Sequence, residues 1–206
     1  MAGRQALLVG DYQTGITGAF DFCAPVLPTV TRLVEGAREK DILLVFCVAA
    51  LRESGVDLSP RNRVMNQFFP LGQVFHEGGP GPQVDPRLSP QRDEPIITKR
   101  RASAFHGSEL DLVLRSNNVT HLAIGGVATS AMVLATTLAA LDLDYDVTVL
   151  GDCCVDPEPA VHDFLLQRVL PARGAVVVDS DDWLALLPWS GAGGGRQGPA
   201  EHRTSS

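Results

Sequence analysis

The feature that most constrains this chain is a series of short apolar runs that do not alternate with polar residues. They lie at residues 6–10, 42–48, 95–98, 121–124, 146–150 and 175–178. A strand with one wet face alternates, whereas a strand covered on both faces does not. Between the runs the period changes to that of a helix. Val30, Leu33, Val34 and Ala37 mark one face of a helix over residues 29–40. Ser108 is an N-cap ahead of Leu110, Val113 and Leu114, and residues 130–143 form another helical segment. Pro157 or Glu158 opens a helix that buries Val161, Phe164 and Leu165, and Ser180 caps a last one reaching Leu187. Buried strands alternating with helices predict a doubly wound, six-stranded parallel α/β sheet with helices on both faces and right-handed crossovers.

One stretch interrupts the pattern. Residues 49–93 hold no long period and are rich in Pro, Gly and Arg, apart from a short helix expected over 62–69. A segment of this length inside a compact domain reads as a functional loop or lid. Residues 190–206 are rich in Gly, Ser and charge and lack apolar periodicity, which predicts a disordered tail. The 206 residues then form one domain over 1–189.

Charge narrows the partners. The net charge is -7, so neither nucleic acid nor an anionic membrane is an expected partner. No apolar run approaches the ~20 residues of a membrane span. The N-terminal segment lacks the pattern of a secretory signal. Cys23, Cys47, Cys153 and Cys154 form no CxxC pair, and reduced thiols suit a cytoplasmic location.

In a sheet of this kind ligands bind beyond the carboxyl ends of the strands. Asp11 follows the first run, Lys99 the third, and Gly125-Gly126-Val127-Ala128-Thr129-Ser130 the fourth. The last segment matches neither GxGxxG nor the Walker pattern, so no nucleotide cofactor is expected. Four segments together carry a resemblance. They are Asp11-Tyr12-Gln13, the stretch from Lys99 to Ser103-Ala104-Phe105, Gly126-Val127-Ala128-Thr129-Ser130-Ala131-Met132, and Asp152-Cys153-Cys154. In this order they resemble the isochorismatase-like (cysteine hydrolase) superfamily, from about Gln5 to about Leu187.

The resemblance implies an aspartate, a lysine and a cysteine acting together on a small-molecule substrate, without a cofactor, in a chain that assembles as a homo-oligomer. It places Asp11 and Lys99 in the first two roles. It implies substrate or oxyanion contacts from Gln13, Val127, Ala128 and Thr129, and a non-prolyl cis peptide at Val127-Ala128. Met132 stands at the nucleophile position. A thioether has no proton to give and forms no thiolate, so the covalent amidase route does not carry over. Cys47, Cys153 and Cys154 lie near strand ends but not at that turn. The histidine pattern of the metal-dependent nicotinamidases is missing after the second run, leaving His76 and His106 isolated, and no metal is expected.

Two functions follow. In one, the chain is a hydrolase like the isochorismatases, which lack the cysteine: Asp11 is the acid or base and Lys99 supports it or anchors a substrate anion. Residues 127–132 lack the bulkier polar side chains of that branch, so isochorismate itself is not assigned. In the other, the chain is a non-catalytic binding or assembly protein that keeps the fold.

Overall fold

The computed structural model describes residues 3–40 and 42–187. The stretch 190–206 and the domain boundary at 189 lie outside the described residues. The strands are β1 (Arg4–Gly10), β2 (Leu43–Ala49), β3 (Ile96–Lys99), β4 (Val119–Val127), β5 (Asp146–Val155) and β6 (Val176–Val178). The helices are α1 (Thr14–Ala19), α2 (Leu27–Glu39), α3 (Arg63–Phe68), α4 (Leu110–Ser116), α5 (Leu134–Asp142), α6 (Pro159–Phe164), α7 (Leu170–Ala172) and α8 (Ser180–Leu186). One six-stranded sheet runs β3-β2-β1-β4-β5-β6, with every neighbouring pair parallel. The strand order reverses between β1 and β4, and a crevice opens at such a reversal beyond the strand ends.

Side chains from the sheet build one core on each face. Leu7, Val9, Phe46 and Val48 pack with Val30, Leu33 and Val34 of α2 and Trp183 of α8. Ala6, Leu8, Val45 and Ile97 pack with Leu110 and Leu114 of α4 and Ala140 of α5. The non-alternating runs are thus explained: odd and even residues of one strand serve different cores. Helix α2 starts two residues earlier than its period indicates, because Pro28 is tolerated in a first turn.

Several boundaries differ from the sequence expectation, each for a local reason. Ser108 is not the N-cap of α4, a place held by Glu109, but its Oγ still accepts the Leu110 N–H at 3.2 Å. Asp179 is the N-cap of α8, and Asp152 reaches across from β5 to accept the Ser180 N–H at 2.8 Å and its hydroxyl at 2.6 Å. The expected buried face of α6 is corrected. Val161 is 39% and Phe164 61% exposed, while Leu165 and Leu166 turn inward. A wider π-helical turn, Leu165–Val169, directly follows α6 and carries these inward-facing residues.

Strand β4 does not end at the paired glycines but continues through Gly125 and Gly126 to Val127. Their role is close approach. A Cβ on Gly126 would stand 2.9 Å from the Gly10 carbonyl oxygen and 2.9 Å from the Met132 sulfur. A Cβ on Gly10 would fall 1.9 Å from the Met132 methyl. Met132, fully buried, therefore lies in a groove that two glycines leave open across β1 and β4. Gly10→Ala should cost about 1–3 kcal/mol through overpacking. In a double-mutant cycle with Met132→Ala, urea denaturation should give a coupling of about 1 kcal/mol or more. Additive losses would mean that the methionine is not seated on the glycine.

The long segment after β2 is fastened at many points. Its short helix is α3, with Asn62 Oδ1 accepting the Met65 N–H at 3.1 Å. Val84 forms a bridge to Gln13, and Leu51 one to His76. Asp85 accepts from Thr17 at 2.6 Å and pairs with Arg87, which holds its carboxyl down at about 2.

Candidate active site

Asp11 is the first residue beyond β1. Its backbone takes the left-handed conformation (φ 62°), which Asp tolerates better than most residues, and its N–H donates to the Cys47 carbonyl at 2.8 Å. Lys99 is the last residue of β3, two strands away. Lys99 Nζ lies 2.9 Å from Asp11 Oδ2 and donates to the Arg101 carbonyl at 3.1 Å. Both side chains are buried, Asp11 at 5% and Lys99 at 3% exposure. Asp11 Oδ1 has no hydrogen-bond partner. Burial pushes the Asp11 carboxyl above its ordinary value, and Lys99 pulls part of the way back.

Above this pair is a cavity of about 260 Å³. Phe20 and Phe22, just after α1, form one wall; Met65 and Phe68 of α3, with Phe75, form another. Val127, Ala128, Ala131 and Met132 close it from the β4 side. Asp11 and Lys99 are the only lining residues with a charged or hydrogen-bonding side chain among the described residues. The loop read as functional in sequence thus supplies much of the wall. The phenylalanines were not singled out there, although two Phe around a short loop and others in a segment without a period were the available signal.

The turn after β4 is more occupied than the resemblance implies. The Val127-Ala128 peptide is cis, as expected. Residues Thr129–Val133 then form a π-helical turn. The Ser130 N–H donates to Asp156 Oδ2 at 2.7 Å, and the N–H groups of Ala131 and Val133 donate to the Ala128 carbonyl at 3.0 and 3.2 Å. These three donors are engaged within the protein.

Of the residues expected at the site, Asp11, Lys99, Met132, Val127 and Ala128 meet around the cavity, and Gln13 and Thr129 do not line it. Gln13 is fully buried and its amide is saturated. It donates to the carbonyls of Ala49 and Val74 (3.0 and 3.3 Å) and accepts the Ala49 N–H at 2.7 Å. It fixes the end of β2 and the aromatic wall to the residue pair after Asp11. Thr129 turns away and shares a 2.8 Å hydrogen bond with His162 Nδ1. His162 and Asp156 act from 33 and 26 positions along the chain, and no local pattern announces them.

No cysteine is among the described residues that line the cavity. All four cysteines are free and buried, and burial pushes each thiol up, Cys23 to about 11 and Cys154 to about 12. Among the described residues no three His, Cys, Asp or Glu come together as metal ligands. His76 instead stacks near Phe69 and contacts its carbonyl at 3.2 Å.

Comparison with known proteins places this geometry. The chain is 32% identical over 138 residues to a protein of Arabidopsis thaliana named "Probable inactive nicotinamidase", covering 66% of this chain and 70% of that one. It is 27% identical over 178 residues to the ureidoacrylate amidohydrolase RutB of Klebsiella pneumoniae, covering 76% of this chain and 75% of the other. Among solved structures, an isochorismatase family protein from Desulfovibrio vulgaris superposes with a TM-score of 0.79 at 29% identity, over 89% of this chain and 100% of that one. The cysteine hydrolase from Pseudomonas syringae shares the fold at a TM-score of 0.80 and 22% identity, over 88% and 91% of the two chains. Residues 5–182 match the isochorismatase domain model, and this chain belongs to the isochorismatase family.

Proposed function

We propose that this chain is a hydrolase of small molecules in which Asp11 is the acid–base group, Lys99 supports it, and water rather than a thiol attacks. The observation that carries the reading is the unpartnered Oδ1 of a buried, Lys99-paired Asp11 at the foot of an apolar cavity. A buried carboxylate oxygen without a partner is costly, so a bound group or water completes it. Asp11 Oδ1 takes a proton from the attacking water, the scissile bond breaks, and the proton is returned to the leaving group. Lys99 remains beside Oδ2 and stabilises the ionised form that precedes the first transfer and is regenerated by the second. Val127 and Ala128 shape the floor. Gln13 and Thr129 act one step back, as positioning residues. Met132 takes no part in bond making.

A second reading, a non-catalytic binding protein, has its own observation. Met132, a thioether, stands where a nucleophile would, and the N–H groups of Ser130, Ala131 and Val133 in the same turn are bonded within the protein. One experiment separates the two. Asp11→Asn should lower turnover of a panel of small esters, amides and enol ethers by at least ~10²-fold, with the circular dichroism spectrum unchanged. Turnover surviving in Asp11→Asn removes the acid–base role, and no turnover by the wild type across the panel favours the binding protein.

Four free cysteines suit a reducing, cytoplasmic setting. No described helix is long and apolar enough to cross a membrane. A second copy of the chain would cover the exposed Val161 and Phe164 of α6, in keeping with a homo-oligomer.

A further inference from the structure

The cavity has a chemistry of its own, and we infer that it takes a neutral, flat ring carrying one hydrogen-bond donor, such as a phenol or an arylamine, and rejects carboxylates. This rests on the reading of the Asp11–Lys99 cavity as the ligand site.

Size comes first. A cavity of about 150 Å³ is enough to hold benzene, so about 260 Å³ fits one ring with a short substituent. Shape and surface follow. Phe20, Phe22, Phe68 and Phe75 line the cavity, and Met65 and Met132 offer polarizable sulfur, which favours an aromatic guest.

Charge then decides against anions. Asp11 and Lys99 neutralise each other, and the second contact of Lys99 goes to the Arg101 carbonyl. The arginines beyond Lys99 are held elsewhere. Arg100 pairs with Asp57 at 3.1 Å and Glu77 at 2.7 Å, and Arg101 donates to the carbonyls of Asp57 and Arg100. Ser130, Ala131 and Val133 have no N–H left for an anion. A ligand carboxylate would therefore enter a largely apolar space beside Asp11 with no unpaired cationic side chain among the described lining residues, which burial strongly opposes. Among the described side chains that line the cavity one buried polar atom has no partner, Asp11 Oδ1, and it is an acceptor. An O–H or N–H on the ligand satisfies it.

The test is binding, read by calorimetry and ligand-observed NMR on the full chain at pH 7, with phenol, toluene and benzoate as probes. A hydrogen bond to a charged acceptor predicts phenol binding about 10-fold tighter than toluene. Benzoate should bind at least 100-fold more weakly than phenol. In Asp11→Leu/Lys99→Met, which replaces the buried pair by apolar side chains, toluene should still bind and the phenol preference should fall below about 2-fold. Benzoate binding as tightly as phenol, equal binding of phenol and toluene, or no binding of either would overturn the inference. The outcomes separate from those of the catalytic reading. Turnover confined to anionic substrates would sink the ligand class and leave Asp11 as acid–base group. Phenol selectivity with unchanged turnover in Asp11→Asn would do the reverse.

Discussion

Lys99→Met is expected to lose about 3–5 kcal/mol of stability at pH 7, because it leaves the Asp11 carboxylate buried at 5% exposure with no partner on either oxygen. The loss should depend on pH in a defined direction. Burial already raises the folded-state value of Asp11 above that of the unfolded chain. Such a carboxyl is most favourable below its unfolded value and loses stability as pH rises through its folded value. Removing Lys99 takes away the two influences that lower the folded value, so the window widens upward. Chemical denaturation should find the variant weakest at pH 8 and partly restored at pH 5. Removing both charges in Asp11→Leu/Lys99→Met should bring stability back to near wild type. A loss in Lys99→Met that is the same at both pH values would show that the ammonium holds the strand end by packing rather than by charge.

The second large effect is kinetic. Met132→Cys should be alkylated by iodoacetamide at pH 7 on the order of 10²-fold faster than Cys23. A thiol near ~8.5 ionises far more at that pH than one at about 11, and it borders the cavity. Lys99→Ala in the same background should slow the reaction, since the ammonium favours the thiolate. Mass spectrometry of the modified peptides reads both rates. An introduced thiol no more reactive than Cys23 would show that the surroundings of position 132 do not activate a thiolate, and the binding-protein reading would gain.

The architecture was legible because each strand serves two cores, and that leaves a continuous apolar run in the sequence. Boundaries were less so. Gly125 and Gly126 resemble a turn in sequence, yet they extend β4, because what excludes a Cβ there comes from strands and a side chain distant in sequence. The α6 face failed similarly: the register of Val161 and Phe164 fits a helix that continues, and a π-helical turn intervenes. At the site, Asp11 and Lys99 were readable from their places at strand ends. Gln13 and Thr129 were placed by resemblance at the ligand, but their partners Ala49, Val74 and His162 lie tens of residues away, and only the fold shows that their side chains are bonded to these groups.

The glycine-lined groove under Met132 also bears on ancestry. Because Gly10 and Gly126 leave room for the longest sulfur side chain, a chain of this design can exchange cysteine for methionine at 132 with no other residue changing. The reverse step is equally open, since a cysteine is smaller and leaves only a modest void. A methionine at 132 is thus accommodated by the backbone itself rather than by repacked neighbouring side chains. A lineage carrying these two glycines can exchange one sulfur side chain for the other at this position in a single substitution. An alanine at position 10 would end that freedom.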